Sequence, residues 1–253
     1  MAESLTLPAV VLVTGTSTGV GKTVVTAALA GRVLARGARV AVYKPAQTGV
    51  GPDEPGDTHE VCRLLASLLD SVPASVPDYM ARLTAAEGVR LADPLAPSAA
   101  ARLAGRPLPT VAEHAETVLA LAQEHDVVLV EGAGGLLVEL DGAGGTLADL
   151  GICLVGSGVE PATVIVCAAG LGTLNHTALT AQALASRGLP VIGLIVGAWP
   201  ADPEAVDLAM RENLTDLPRV AAAPLLGCLP DGVGAWGATE FARGIPEWLS
   251  GVE

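Results

Sequence analysis

A glycine-rich loop that ends in Gly-Lys-Thr carries the strongest chemical signal in this chain. The loop runs from Gly15 to Thr23 with the sequence GTSTGVGKT. An apolar β-branched stretch precedes it and a helical pattern follows it, which is the context that a phosphate-binding P-loop requires. Backbone N–H groups of such a loop converge with the helix N-terminus on a polyphosphate. We expect Lys22 to contact the outer phosphates and the Thr23 hydroxyl to be an oxygen ligand for Mg²⁺.

The loop is one residue longer than the common P-loop spacing. That spacing would place the first glycine at position 16, where this chain has Thr16 and the glycine stands one residue earlier. Gly19 and Gly21 keep the backbone permissive enough to wrap a phosphate. The longer loop argues against the signal-GTPase and motor families. An ordinary turn before a helix is the alternative, and it is weaker because strand, loop and helix all agree.

Three charged residues stand where predicted strands end or helices begin. Glu131 closes the apolar run DVVLVE, a Walker-B arrangement whose carboxylate holds the Mg²⁺ of a nucleotide directly or through water. Lys44 is followed by Pro45, which favours extended geometry, and then by a Gln-Thr-Gly loop. A solvated strand-end lysine is the alternative for Lys44. For Asp57, spacing alone leaves a helix cap and a metal ligand equally open.

Alternating strand and helix patterns supply the elements that would position these residues. Together they predict an α/β fold, a mostly parallel sheet with helices on both faces, in which ligands bind at the carboxyl ends of the strands. We expect one P-loop NTPase-like domain over residues 1–253, with 1–8 as a flexible N-terminal extension. Strands are predicted at 10–13, 39–43, 126–130, 162–167, 191–196 and 220–223, and helices at 22–36, 57–69, 111–122 and 177–187. Residues 71–97 are expected to be an irregular excursion over the sheet edge, and 132–151 a glycine-rich loop.

Composition excludes several classes of partner. The formal net charge of −13 makes nucleic acid or an anionic membrane surface an unfavourable partner. Apolar residues make up 51% of the chain, yet no uninterrupted apolar run is long enough to span a bilayer. The four cysteines form no Cys-x-x-Cys pair, and residues 1–8 have no basic region typical of a signal peptide. These features predict a soluble cytoplasmic protein with reduced thiols.

The histidines and serines offer no second chemistry. His59, His114 and His125 fit exposed helix positions, and no metal-ligand spacing of His or Cys is present. The Gly-x-Ser-x-Gly nucleophile pattern is also absent, so hydrolase chemistry has no support.

Five motifs in a fixed order resemble the dethiobiotin synthetase family, over residues 10–230. They are TGTSTGVGKT at 14–23, YKPAQTG at 43–49, VLVEGAGG at 128–135, LGTLNH at 171–176 and APLLGCLP at 223–230. The resemblance implies a ligase that closes the ureido ring of dethiobiotin from 7,8-diaminononanoate, CO₂ and ATP or another nucleoside triphosphate, with Mg²⁺. It also implies a homodimer that carries the substrate site at its interface.

The same resemblance assigns roles to individual residues. It places Lys22 and Lys44 beside the γ-phosphate and the substrate carbamate, and Thr48 against the diamine. Mg²⁺ is surrounded by Thr23, Asp57 and Glu131, so the resemblance favours the metal role for Asp57. The substrate carboxylate is bound by Gly172, Thr173, Leu174 and Asn175 of the neighbouring subunit. The nucleotide and its metal contact Gly19, Val20, Gly21, Lys22, Thr23, Val24, Asp57, Glu131, Gly132, Ala133, Gly134, Gly197, Leu229, Pro230 and Asp231.

Two departures and two other protein classes bear on this interpretation. Many relatives read adenine with Asn-Asp where this chain has Gly-Ala-Trp-Pro at 197–200, and many carry an acid at Gly19.

A ParA/MinD-like ATPase switch is one alternative, but those proteins carry a second lysine early in the loop, where this chain has Thr16. The synthetase domain of a cobyrinate-type amidotransferase is the other. It needs a glutaminase domain, for which 253 residues leave no room.

Overall fold

One sheet of seven parallel strands forms the centre of the protein. The computed structural model describes residues 5–70 and 82–252. In space the strand order is β3-β2-β4-β1-β5-β6-β7, and every pairing is parallel. The strands are β1 (Val10–Gly15), β2 (Val40–Thr48), β3 (Leu83–Leu91), β4 (Val127–Gly135), β5 (Ala162–Cys167), β6 (Val191–Trp199) and β7 (Leu225–Pro230).

Within the described residues, seven α-helices connect these strands and an eighth follows β7. Local sequence signals set several of their ends. Thr110 and Glu113 form a capping box at the start of α4, and Thr146 and Asp149 form another at the start of α5. Pro97 is the first residue of α3, where its missing N–H costs no hydrogen bond. The helices are α1 (Lys22–Ala35), α2 (Asp57–Asp70), α3 (Pro97–Ala104), α4 (Val111–Glu124), α5 (Leu147–Gly156), α6 (Thr173–Ala185), α7 (Leu208–Ala221) and α8 (Ala238–Trp248).

Both faces of the sheet are buried, which confirms the predicted α/β architecture. Successive β1 residues point to opposite faces: Val11 and Val13 belong to one apolar core, and Val10 and Leu12 to the other. The first core is covered by α1, α2 and α8, and the second by helices that include α4, α5 and α6. With so few aromatic residues, both cores consist mainly of Val, Leu, Ile and Ala.

Three predicted segments differ from the structure. Residues 83–91, expected to be irregular, form edge strand β3, which pairs in parallel with β2; positions 71–81 of the same prediction lie outside the described residues. The last strand is β7 and not 220–223, because α7 continues to Ala221 and delays the strand. The expected loop at 132–151 contains the end of β4 and the start of α5. In the first case backbone pairing with a neighbouring strand outweighs a weak local pattern. In the third case a capping box starts a helix inside the glycine-rich segment.

Two further expectations are corrected at single residues. His114 and His125 are buried and not exposed, whereas His59 is exposed as predicted. The second strand does not end at Lys44 but runs on to Thr48, because β3 continues to pair with it.

The chain ends pack together where they are described. The Leu5 N–H donates to the Gly251 carbonyl oxygen at 3.0 Å, and Leu7 is buried in the first core. Within the described residues, no helix combines the length and the hydropathy needed to cross a bilayer.

Candidate functional site

The glycine-rich loop joins the carboxyl end of β1, in the middle of the sheet, to α1. Gly19 and Gly21 adopt positive φ angles of 76° and 90°, a region that side chains disfavour. A Cβ atom at Gly21 would lie 2.5 Å from the Gly197 carbonyl oxygen, so β6 supports the loop directly from behind. The Lys22 ammonium donates to the Ser17 carbonyl oxygen at 3.0 Å and therefore lies over the loop. The local geometry is that of a phosphate-binding P-loop.

A buried ammonium lies between two carboxylates beside this loop. The Nζ atom of Lys44, on β2, is 2.6 Å from Asp57 Oδ2 and 2.7 Å from Glu131 Oε1. The same Glu131 oxygen accepts a hydrogen bond of 2.9 Å from the Thr23 hydroxyl. The neighbouring strands β1, β2 and β4, together with the start of α2, therefore bring four predicted site residues into direct contact.

Burial and charge act differently on the two lysines of this site. Burial alone would lower the pKa of Lys44, but the carboxylates of Glu131 and Asp57 outweigh it and raise that pKa above its ordinary value. Burial, followed by the positive charge of Lys44, lowers the pKa of Lys22 to about 8. Lys44 is thus held as a cation. Among the described residues no carboxylate lies within ion-pair distance of Lys22, so this ammonium is available to an anion.

A cavity of about 750 Å³ opens over these groups. It contains most of the predicted phosphate, metal and diamine residues. Those that line it are Gly19, Gly21, Lys22, Thr23, Val24, Lys44, Thr48, Asp57, Glu131, Ala133 and Gly134.

Other predicted residues do not line this cavity. Val20 is buried, and Gly197 packs behind the loop. The 172–175 segment begins α6 after β5 and follows Leu171, which is 92% exposed. The Asp231 N–H donates to the Trp199 carbonyl oxygen at 2.6 Å, which joins the ends of β6 and β7. The predicted residues outside the lining are Val20, Gly132, Gly172, Thr173, Leu174, Asn175, Gly197, Leu229, Pro230 and Asp231.

Part of the cavity wall comes from residues to which the motifs assign no individual role. The segment between β3 and α3 contributes an apolar wall, and Gln47 and Val138 contribute at other points. The sequence held a signal for the segment between β3 and α3. A proline-rich stretch with a proline at the first helical position marks the connection from a strand to a helix. The lining residues to which no individual role was predicted are Thr18, Ala46, Gln47, Pro94, Leu95, Ala96, Pro97 and Val138. The first three of them lie inside the predicted motifs.

The oxygen atoms in the cavity suit Mg²⁺. Thr23 offers a hydroxyl, and Asp57 and Glu131 offer two carboxylates. The Lys44 ammonium lies between these two carboxylates, so their combined charge favours a cation there. No group of three His, Cys, Asp or Glu residues able to hold a metal occurs in the described part of the chain. Protein sites bind Mg²⁺ through few carboxylates, while substrate phosphates and waters complete the coordination.

Comparisons with known proteins agree with this geometry. A family model described as "AAA domain" matches residues 9–232. The chain is 52% identical to the ATP-dependent dethiobiotin synthetase BioD of Streptomyces coelicolor, over 95% of this chain and 92% of that protein. It is 48% identical to the BioD protein of Rhodococcus jostii, over 95% of this chain and 94% of that protein.

Solved structures with a similar fold are much more distant in sequence. The septum site-determining protein MinD of Pyrococcus horikoshii, complexed with Mg-ADP, matches with a TM-score of 0.53 and 17% identity, over 98% of this chain and 87% of that chain. The MinC:MinD complex of Aquifex aeolicus matches with a TM-score of 0.51 and 15% identity, over 93% of this chain and 86% of that chain. These likenesses concern the fold. The sequence relationships go further: the chain belongs to the ATP-dependent dethiobiotin synthetase family.

Proposed function

We propose that this chain is an ATP-dependent dethiobiotin synthetase that closes the ureido ring from 7,8-diaminononanoate, CO₂ and a nucleoside triphosphate. One observation carries the proposal beyond family membership. The ammonium groups of Lys22 and Lys44 and the Glu131 carboxylate line one cavity at the P-loop. Such a cavity can hold a triphosphate tail next to a second, anionic substrate.

Each group has a role that its contacts support. The P-loop amides and Lys22 would bind the outer phosphates, while Thr23, Asp57 and Glu131, which line the same cavity, would hold Mg²⁺. Bound there, Mg²⁺ would supply charge neutralisation on the phosphate oxygens. Thr48 lies in the cavity wall and is half-buried, which suits a hydrogen bond to the diamine.

The proposed reaction has three steps. One substrate amine attacks CO₂ and loses a proton, which forms a carbamate. A carbamate oxygen then attacks the γ-phosphorus and displaces the nucleoside diphosphate, giving a carbamic–phosphoric anhydride. Finally the second amine attacks the carbamoyl carbon, loses a proton and expels phosphate as the ring closes. Negative charge accumulates at each step, so fixed cations and close positioning are the catalysis required.

Several finer points belong to the same proposal. Gly172 and Asn175 are exposed, Leu174 is half-buried and Thr173 is buried. This segment would bind the carboxylate of the substrate that a second copy of the chain holds, which makes the enzyme a homodimer. The acidic composition and four free cysteines support a cytoplasmic enzyme. Because all seven described strands share one sheet, we also propose one domain for the whole chain.

Phosphate release with and without the diamine and bicarbonate tests the proposal. We expect turnover to require both, with dethiobiotin identified by mass spectrometry. Lys44→Ala should lower kcat at least about 100-fold, because a fixed cation next to the transferring group is lost. Arg219→Ala, which changes an exposed residue of α7, is the matched control. Its thermal unfolding and that of Lys44→Ala show whether each variant folds.

Rapid ATP hydrolysis without the diamine would contradict the proposal and favour an ATPase switch. Full activity of Lys44→Ala would contradict the role of that lysine.

A further inference from the structure

A partly buried ion pair on the edge strand lies next to the cavity without lining it. Arg90 of β3 donates from Nε to Glu87 Oε2 and from Nη2 to Glu87 Oε1, both at 2.8 Å. The side chains are only 25% and 15% exposed. An ion pair removed from water contributes little net stability to a fold. The role of this pair is therefore better explained by the neighbouring groups that it holds in position.

The rest of the Arg90 guanidinium binds the loop between β2 and α2. Its Nη1 atom donates to the carbonyl oxygens of Gly51 at 3.0 Å and Glu54 at 2.6 Å. All three guanidinium nitrogens are therefore hydrogen-bonded in a fixed fork geometry, which a lysine could not reproduce. The loop that leads into α2 is tied to β3 by this side chain and by a hydrogen bond of 3.4 Å from the Val50 N–H to the Leu91 carbonyl oxygen.

Glu87 extends the same network to the first turn of α2. The Thr58 hydroxyl donates to Glu87 Oε1 at 2.8 Å. A Cβ atom at Gly56 would lie 2.9 Å from the same oxygen and 3.0 Å from Arg90 Nη2, so the backbone there packs closely against the pair. Between these two residues, the Asp57 N–H donates to Gln47 Oε1 at 2.8 Å.

The contacts of the preceding Gly56 and the following Thr58 therefore hold Asp57 in place, together with the hydrogen bond from its own N–H. Its carboxylate is 36% exposed and reaches into the cavity, where it meets Lys44. We propose that Glu87 and Arg90 are positioning residues, which set the place of the Asp57 carboxylate and thereby the affinity of the site for a divalent metal. The inference rests on the proposed function, because that proposal makes Asp57 a metal ligand.

Mn²⁺ binding, measured by electron paramagnetic resonance with a non-hydrolysable ATP analogue, tests the inference directly. We expect Arg90→Lys to weaken Mn²⁺ binding about 10-fold, since residues that orient a metal ligand typically affect affinity by that factor or more. The Mg²⁺ concentration for half-maximal activity should rise by the same factor, while kcat at saturating Mg²⁺ changes less than about twofold. Binding of the analogue in EDTA should not change.

Thr58 supplies a pair of variants that differ by one hydroxyl. Thr58→Val removes the hydrogen bond to Glu87 and should weaken Mn²⁺ binding in the same direction, whereas Thr58→Ser keeps the hydroxyl and should retain wild-type affinity. Because both residues act through one network, the Arg90→Lys and Thr58→Val effects should not add.

Arg219→Lys is the matched control, because Arg219 pairs with Asp216 at the same sequence separation on α7. It should keep wild-type Mn²⁺ affinity. Unchanged Mn²⁺ affinity in both Arg90→Lys and Thr58→Val would overturn the inference, as would a lower kcat with unchanged Mg²⁺ dependence. The Mn²⁺ measurement uses neither diamine nor CO₂. A wild-type protein that makes no dethiobiotin would therefore refute the proposed function separately.

Discussion

At the scale of the residue, the two cavity lysines are the features that distinguish this site. They are the only two lysines of the chain, and the other basic side chains are arginines or histidines. Lys44 is enclosed by Asp57 and Glu131, whereas Lys22 contacts a backbone carbonyl. A compact ammonium whose pKa responds to its surroundings suits a site where phosphate charge arrives and leaves.

The ionisation of Lys22 gives a prediction at this scale. Its pKa of about 8 means that the free protein loses this charge as the pH rises through 8. A bound triphosphate favours the cation, so its binding should weaken by up to about tenfold per pH unit above pH 8, as one proton must be taken up. Carbon-13 labelling of lysine allows a direct NMR titration, because only two side chains contribute.

The Lys44→Arg variant assigns the two resonances. In the free protein one resonance should titrate near pH 8, and ATP should move that midpoint upward. Midpoints near 10.5 for both lysines would contradict the prediction.

At the scale of the element, the P-loop is held in place by contact with β6. A Cβ atom at Gly197 would lie 2.1 Å from the Val20 carbonyl oxygen and 2.8 Å from Val166 Cγ1. Backbone atoms cannot yield as a flexible side chain can, so β6 and the loop depend on each other for position. Gly197 therefore affects the phosphate site without lining the cavity.

Gly197→Ala should displace the P-loop. We expect nucleotide binding to weaken at least about 10-fold and the free energy of unfolding to fall by roughly 1–3 kcal/mol, the usual cost of overpacking. Calorimetric titration with ATP and urea unfolding measure the two effects. Gly156→Ala is the control, because a Cβ there meets nothing within 4 Å. Equal nucleotide affinity in both variants would show that the contact with β6 is unimportant.

At the scale of the whole molecule, a buried histidine links stability to pH. His114 Nδ1 shares a 2.6 Å hydrogen bond with the Tyr43 hydroxyl, and its Nε2 is buried without a partner in the described structure. Burial lowers the pKa of His114, and the nearby charges of Asp141 and Glu113 offset this only in part. The folded protein therefore holds this histidine neutral at pH values where the unfolded chain is protonated.

Acid should consequently destabilise the fold in a specific range. As the pH falls below about 6.5, the unfolded state binds a proton that the folded state does not, so the free energy of unfolding should fall by at most about 1.4 kcal/mol per pH unit. His114→Gln removes this group, and its stability should depend less steeply on pH between 6.5 and 5. Urea unfolding at several pH values gives both slopes. Identical slopes would exclude His114 as the cause.

Much of the site followed from the sequence because its signals are local. The P-loop, the strand ending in Glu131 and the start of α2 at Asp57 each lie within a few neighbouring residues, and parallel strands bring their carboxyl ends to one edge. Chain order alone therefore determined an α/β fold and a phosphate site.

Tertiary structure decided what depends on contacts between distant segments. Residues 83–91 became the edge strand because β2 offered backbone partners, and His114 became buried because α4 packs on the sheet. The link from Arg90 through Glu87 to the start of α2 joins positions far apart in the chain, as does the contact of Gly197 with the P-loop. Sequence periodicity indicates which side chains are apolar, but it does not indicate which distant segments of the chain become their neighbours. These features therefore became visible only in the folded structure.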